Sequence, residues 1–208
     1  MIKKILKEIG SFFSSLDAIT KTLVTINTLV YFYSLMENKM NAIKGLTIEQ
    51  ILNTGGMSGG TSLTTIVTSM FVHYSLTHFL LNMIILMLLS HVLSDTFSPM
   101  TYLATFFLSG ILGNSLGYII EPNVVSLGAS GGVFGLIGLL LIGSLQTKRY
   151  PSLNNLFGWI FGTSVVFIIL TFFSDATNDI SHIIGFIVGV LIAFCMPLID
   201  VKSKSSSD

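Results

Sequence analysis

The chain has 208 residues, 51% of them hydrophobic and only 10% charged, with ten Lys and Arg balancing ten Asp and Glu. A water-soluble domain carries roughly 25% charged residues, so this chain could not cover a soluble surface, and its balanced charge gives no basic excess to hold nucleic acid. A single cysteine, Cys195, excludes an internal disulfide framework and gives no metal-ligand spacing. The composition is that of an all-α polytopic membrane protein whose first partner is the lipid bilayer.

At the N-terminus, Ile2, Ile5, Leu6, Ile9, Phe12, Phe13 and Leu16 recur at helical spacing with lysines between them. Residues 1–18 therefore read either as a short helix lying on a leaflet or as a frayed tail. Lys7 and Glu8 interrupt any apolar run that a cleaved signal peptide would need.

Asp, Glu, Lys and Arg are absent from residues 22–36, 50–94, 96–120, 122–147, 150–174 and 180–199. A helix needs about 20 mostly apolar residues to cross about 30 Å of hydrocarbon. Six spans are expected, near 19–36, 70–93, 100–120, 127–146, 155–173 and 180–199, within one membrane domain covering 19–199. The first borrows Ile19, Thr20 and a snorkelling Lys21. The 50–94 window holds one span only, because Asn53 to Ser62 is rich in Gly, Ser and Thr. An external loop of about 37–69 results, and Thr47-x-x-Gln50 within it has the form of a capping box. Trp159 and His91 are expected at the membrane–water interfaces. Residues 200–208 read as a disordered tail.

With six spans both termini share one side. That side holds Lys3, Lys4, Lys7, Lys21, Lys148, Arg149, Lys202 and Lys204, against Lys39 and Lys44 opposite. The bias places both termini in the cytoplasm.

Polar side chains inside such spans need a reason to be there. In the second span, His78 and Asn82 lie one helical turn apart and share a face, which suggests a common site. His73 is about half a turn round from Asn82 and reads as structural or interfacial. The fourth span opens on Gly128-Ala129-Ser130-Gly131-Gly132, and the sixth on Ser181-His182 followed by Gly185 and Gly189. Glycines at this spacing let membrane helices approach closely. The fourth and sixth spans run in the same direction, so Ser130 and His182 fall at similar shallow depth near the outer face. A histidine that takes the serine proton would make a nucleophile. His78, Asn82 and a backbone N–H at the start of the fourth helix could serve the developing oxyanion. Asp179, three residues before His182, has the spacing of a third triad member, but its place at the end of a loop favours a helix N-cap.

At these residues the chain resembles a rhomboid intramembrane serine protease. His73-x4-His78-x3-Asn82, Gly128-x-Ser130-Gly131 and His182 with Gly185 and Gly189 match that family's motifs in the spans where it carries them. The resemblance implies a six-helix rhomboid bundle, with Ser130 as nucleophile and His182 as base. It also implies that His78, Asn82 and the Ser130 N–H form an oxyanion hole, with His73 supporting the adjoining loop. Gly128, Gly131, Phe134 and Gly185 would support the site. No cofactor or metal is implied, and substrates would be single-pass membrane proteins cut near the outer face, with small residues favoured at the cleavage position. The short core suggests a bacterial plasma membrane. The chain departs from the family pattern where Thr64-Thr65 replace a loop-anchoring Trp-Arg pair, Ser94 a Glu, Ser98 a Gly, Phe134 a Tyr and Ile184 a Gly. The rival reading is a non-catalytic relative that binds or escorts transmembrane clients. A metalloprotease lacks its His-Glu-x-x-His here, and no repeat suggests a transporter.

Overall fold

A computed structural model describes residues 2–172 and 179–195. Among these residues the chain is all helical: α1 (Ile2–Ser15), α2 (Ala18–Glu37), α3 (Ile48–Thr54), α4 (Thr65–Thr68), α5 (Leu76–Thr96), α6 (Pro99–Ile120), α7 (Ser130–Leu145), α8 (Phe157–Phe172) and α9 (Asp179–Cys195). The expected tail at 200–208 lies outside the described residues.

Local chemistry explains the starts. Asp17 caps α2 by accepting from the Ile19 and Thr20 amides, Ser75 caps α5 through the His78 amide, and Ser98 caps α6 ahead of Pro99 at its first turn. Thr47 and Gln50 form the expected capping box on α3.

Two starts correct the expectation. The second apolar run begins its α-helix at Leu76 rather than residue 70, because Ser69–Phe71 form a tight 3₁₀ turn and Val72 is extended. The fourth begins at Ser130 rather than 127, because Gly128 takes φ +100°, a left-handed geometry that cannot continue a right-handed helix.

The helix α7 is the axis of the bundle. Residues 130–140 are buried on every side, as a helix apolar all round must be. It packs chiefly against α9 and α6. The outer faces are apolar too: Leu80, Ile84 and Leu88 on α5, Leu108, Leu112 and Leu116 on α6, and Ile183, Ile187 and Leu191 on α9 are all exposed. Stripes of this kind on several neighbouring helices would be untenable in water and match hydrocarbon. By length and composition alone α5 and α6 can each cross a membrane; α7, α8 and α9 are apolar but shorter. Lys21, Asn27 and several threonines dilute the twenty residues of α2.

One end of the bundle is tied by Asp17. Its carboxylate accepts from the hydroxyls of Thr20 (2.5 Å) and Ser90 (2.6 Å), joining α2 to α5, and Thr20 shares a 2.8 Å hydrogen bond with Tyr102 of α6. Burial pushes the Asp17 carboxyl up, but hydrogen bonds from Ser90, Thr20 and Ile19 outweigh it and hold it below its ordinary value of 3.8. The folded state thus favours the carboxylate. Its contribution is present above the unfolded value and is lost as pH falls through the lower folded one. Asp17→Ala is expected to lower stability by about 1 kcal/mol at neutral pH, the usual worth of an N-cap. In thermal unfolding the gap to wild type should close as pH drops below 3.8. A gap that stays constant through that range would contradict the role given to the carboxylate.

Candidate functional site

The site starts from glycines. A side chain added at Gly185 of α9 would strike the Gly131 carbonyl of α7, and one at Gly189 would come within 2.7 Å of the Gly135 carbonyl carbon. A side chain added at Gly138 of α7 would likewise meet Phe186 and Val190 backbone, its Cβ 3.1 Å from the Val190 nitrogen. The two helices therefore run backbone against backbone, which small residues permit.

That approach brings Ser130, the first residue of α7, to His182 in the first turn of α9. Ser130 Oγ lies 2.7 Å from His182 Nε2, with both residues buried. With the hydroxyl donating, Nε2 is the acceptor and the proton of a neutral ring sits on Nδ1. Phe134, one turn beyond Ser130, stacks on the imidazole at 4.6 Å between centroids and 22° between planes, and leans in turn on Phe167 of α8. Asp179 is the first residue of α9, exposed, and forms no hydrogen bond with His182 among the described residues.

Around the serine the loop before α7 meets α5. A Cβ at Gly128 would lie 2.9 Å from His78 Nε2 and 3.7 Å from Ser130 Oγ. Close approach and positive φ both call for glycine there. His78 Nδ1 accepts from the Tyr74 amide at 3.4 Å, which leaves the Nε2 side, the one facing Gly128, as the N–H donor. Asn82 is buried one turn along. Its Nδ2 donates to the His78 carbonyl at 2.9 Å, leaving a second N–H on the same nitrogen, while Oδ1 is buried with no hydrogen-bond partner among the described residues.

His73 differs from the helical-wheel expectation. It lies in the extended segment ahead of α5, fully buried rather than interfacial, with its ring edge-on to His78 at 5.2 Å and Nδ1 3.2 Å from the Phe71 carbonyl. The wheel failed because the helix has not yet begun at residue 73. His91 is exposed and 3.4 Å from Ser15 Oγ, and Trp159 is exposed on α8.

A cavity of about 380 Å³ opens beside this site between α8 and α9, with Phe134, Ile168, Thr171, His182 and Ile183 among its walls. Its walls are mostly apolar, with Thr171, Asp179 and His182 the polar residues among them.

Asn114 of α6 escaped the sequence reading. It is buried, and its amide hydrogen-bonds Ser126, Ser181, Ser69 and the Ile66 carbonyl. The signal was present, since an amide within an apolar span is costly without partners. It lay in a span without a family motif to draw attention to it.

The family model described as Rhomboid domain matches residues 60–198. The chain is 29% identical over 130 residues to Rhomboid-like protease 3 of Toxoplasma gondii, covering 62% of this chain and 49% of that protein. It is 30% identical over 95 residues to the putative rhomboid protease YdcA of Bacillus subtilis (strain 168), covering 45% and 47%. It is also 28% identical over 158 residues to Inactive RHOMBOID-like protein 8 of Arabidopsis thaliana, covering 75% and 41%. The chain thus spans about half or less of the length of these relatives.

The glycine contact is testable through stability. Gly189→Ala forces a methyl into the Gly135 backbone and should cost about 1–3 kcal/mol, the usual penalty of overpacking. Gly162→Ala on α8, where nothing lies within 4 Å, should be neutral or mildly stabilising. Thermal unfolding in detergent compares them, and equal midpoints for the two variants would contradict the backbone contact.

Proposed function

This chain belongs to the rhomboid family, and we propose from that premise that it is an intramembrane serine endopeptidase using Ser130 as nucleophile and His182 as general base. The 2.7 Å contact between Ser130 Oγ and His182 Nε2 carries the reading. It is the arrangement that serine needs, since a hydroxyl is a weak nucleophile until a base accepts its proton.

In this reading Ser130 Oγ attacks the carbonyl carbon of the scissile bond as its proton passes to His182 Nε2. The oxyanion of the tetrahedral intermediate is met by the His78 Nε2–H, the second Asn82 Nδ2–H and the N–H of Ser130, which opens α7 and has no partner within its helix. His182 then hands its proton to the leaving amine, and the acyl group remains on Ser130. A water, deprotonated by the same imidazole, attacks the ester carbonyl and restores the hydroxyl. Phe134 keeps the ring plane facing the serine, and Gly128 lets His78 reach the site.

The substrates would be single-pass membrane proteins cut near the outer face, with small residues favoured at the cleavage position. The proposed organisation is a membrane domain of six spans over 19–199, preceded by an interfacial segment at 1–18 and followed by a tail at 200–208. Both termini are proposed to be cytoplasmic, from the excess of lysines on that side, in a bacterial plasma membrane.

A second reading, a client-binding protein without catalysis, draws on two observations. Two relatives are named inactive, and by the resemblance Thr64-Thr65 stand in place of a loop-anchoring Trp-Arg pair. Cleavage separates the two. Reconstituted with a single-pass substrate, wild type should cut it, while Ser130→Ala and His182→Ala, folded, should not. Asn82→Ala should retain turnover reduced by about 10²–10³-fold, the usual cost of one oxyanion donor. Equal cleavage by wild type and Ser130→Ala would contradict the mechanism. Folded wild type that retains the substrate without cutting it would favour the second reading.

A further inference from the structure

We propose that Asn114 is a positioning residue for catalysis, one buried amide that sets the segment leading to Ser130 against the helix bearing His182. The inference rests on the serine-protease reading above and adds to it a residue that touches neither substrate nor reacting atoms.

Asn114 sits towards the C-terminal end of α6 and is only 4% exposed. Its Oδ1 accepts from Ser126 Oγ at 2.7 Å and from Ser181 Oγ at 3.2 Å. Its Nδ2 donates to the Ile66 carbonyl at 2.9 Å and to Ser69 Oγ at 3.0 Å. An amide offers two lone pairs and two N–H groups, so all four are engaged.

The partners are the segments that must agree in position if the site is to work. Ser126 lies four residues before Ser130, and its backbone pairs with Met57 in both directions, at 3.0 and 2.7 Å. Ser181 immediately precedes His182. Ser69 begins the 3₁₀ turn that leads towards His78, and its carbonyl accepts from the Gly128 amide at 2.8 Å. One planar side chain thereby references nucleophile, base and the approach to the oxyanion donor to a single point on α6.

The amide also ties down the segment that leads into α5, since both Nδ2 donations go there, to the Ile66 carbonyl and to Ser69 Oγ. In a low-dielectric interior an unpaired polar group is costly. Moving any one of these segments costs the amide a buried hydrogen bond, so the network favours one arrangement of its members.

Positioning and mere structural support give different kinetics. The measurement is kcat and KM for a reconstituted single-pass substrate, with rates expressed per active site titrated by a fluorophosphonate. For Asn114→Leu, which removes all four bonds, kcat per titrated site should fall by up to about 10²-fold, the scale on which remote misplacement acts. KM should stay within a few fold. Asn114→Asp, which keeps the acceptors and loses amide donors, should be intermediate and recover towards wild type as pH falls and the carboxyl regains an O–H donor. Asn114→Leu and Asn114→Asp with wild-type kcat per titrated site would overturn the proposal, whether or not fewer sites titrate. If Asn114→Leu does not fold, Asn114→Asp and Ser126→Ala decide by the same criterion. Wild type that neither titrates nor cleaves overturns the protease reading itself, and this proposal with it.

Discussion

Two helix backbones in contact are the constraint on which the rest of this molecule depends. Glycines at 131, 135 and 138 on α7, and at 185 and 189 on α9, remove the side chains that would hold the helices apart. Ser130 and His182 then meet at 2.7 Å. The same demand for smallness reaches α6, whose Ser109 Oγ occupies the space a side chain at Gly135 would need. Ser109 Oγ and Thr105 Oγ1 are buried on α6 without hydrogen-bond partners among the described residues, so these positions favour small volume over satisfied polarity. Close packing of this kind fixes geometry well because little can shift without a clash.

Smallness alone does not orient the serine and histidine, and polar groups complete the arrangement at both ends of the bundle. At one end the Asp17 carboxylate gathers Thr20 and Ser90, with Tyr102 joined through Thr20. At the other, Asn114, Ser126, Ser181 and Ser69 form a connected set around the segments that carry Ser130, His182 and His78. Between them the outward faces of α5, α6 and α9 carry leucine and isoleucine stripes. The distribution follows the solvent, with apolar side chains towards lipid and hydrogen-bonding ones only where partners are built in.

Much of this was legible in the residues. Charge-free windows located the apolar helices, and shared depth with glycine spacing placed Ser130 opposite His182. The Thr47–Gln50 capping box could be read directly, because its signal is local. What escaped depended on events between elements. The start of α5 at Leu76 is set by Ser75 and a 3₁₀ turn inside a continuous apolar run, so periodicity could not reveal it, and the wheel position of His73 failed with it. Asn114 escaped because its four partners come from three distant stretches of chain. The number of spans and the side of each terminus rest on hydropathy and lysine distribution, which report on the membrane rather than on contacts within the chain.

The account turns on whether Ser130 is made reactive by His182. The most direct measurement is labelling of purified protein with a fluorophosphonate, followed by mass spectrometry of its peptides to locate the phosphonyl group. The account predicts an adduct on Ser130 in wild type and none in folded His182→Ala. An adduct on Ser130 of equal rate and extent in both proteins, or no adduct on folded wild type that still binds a transmembrane client, would contradict it.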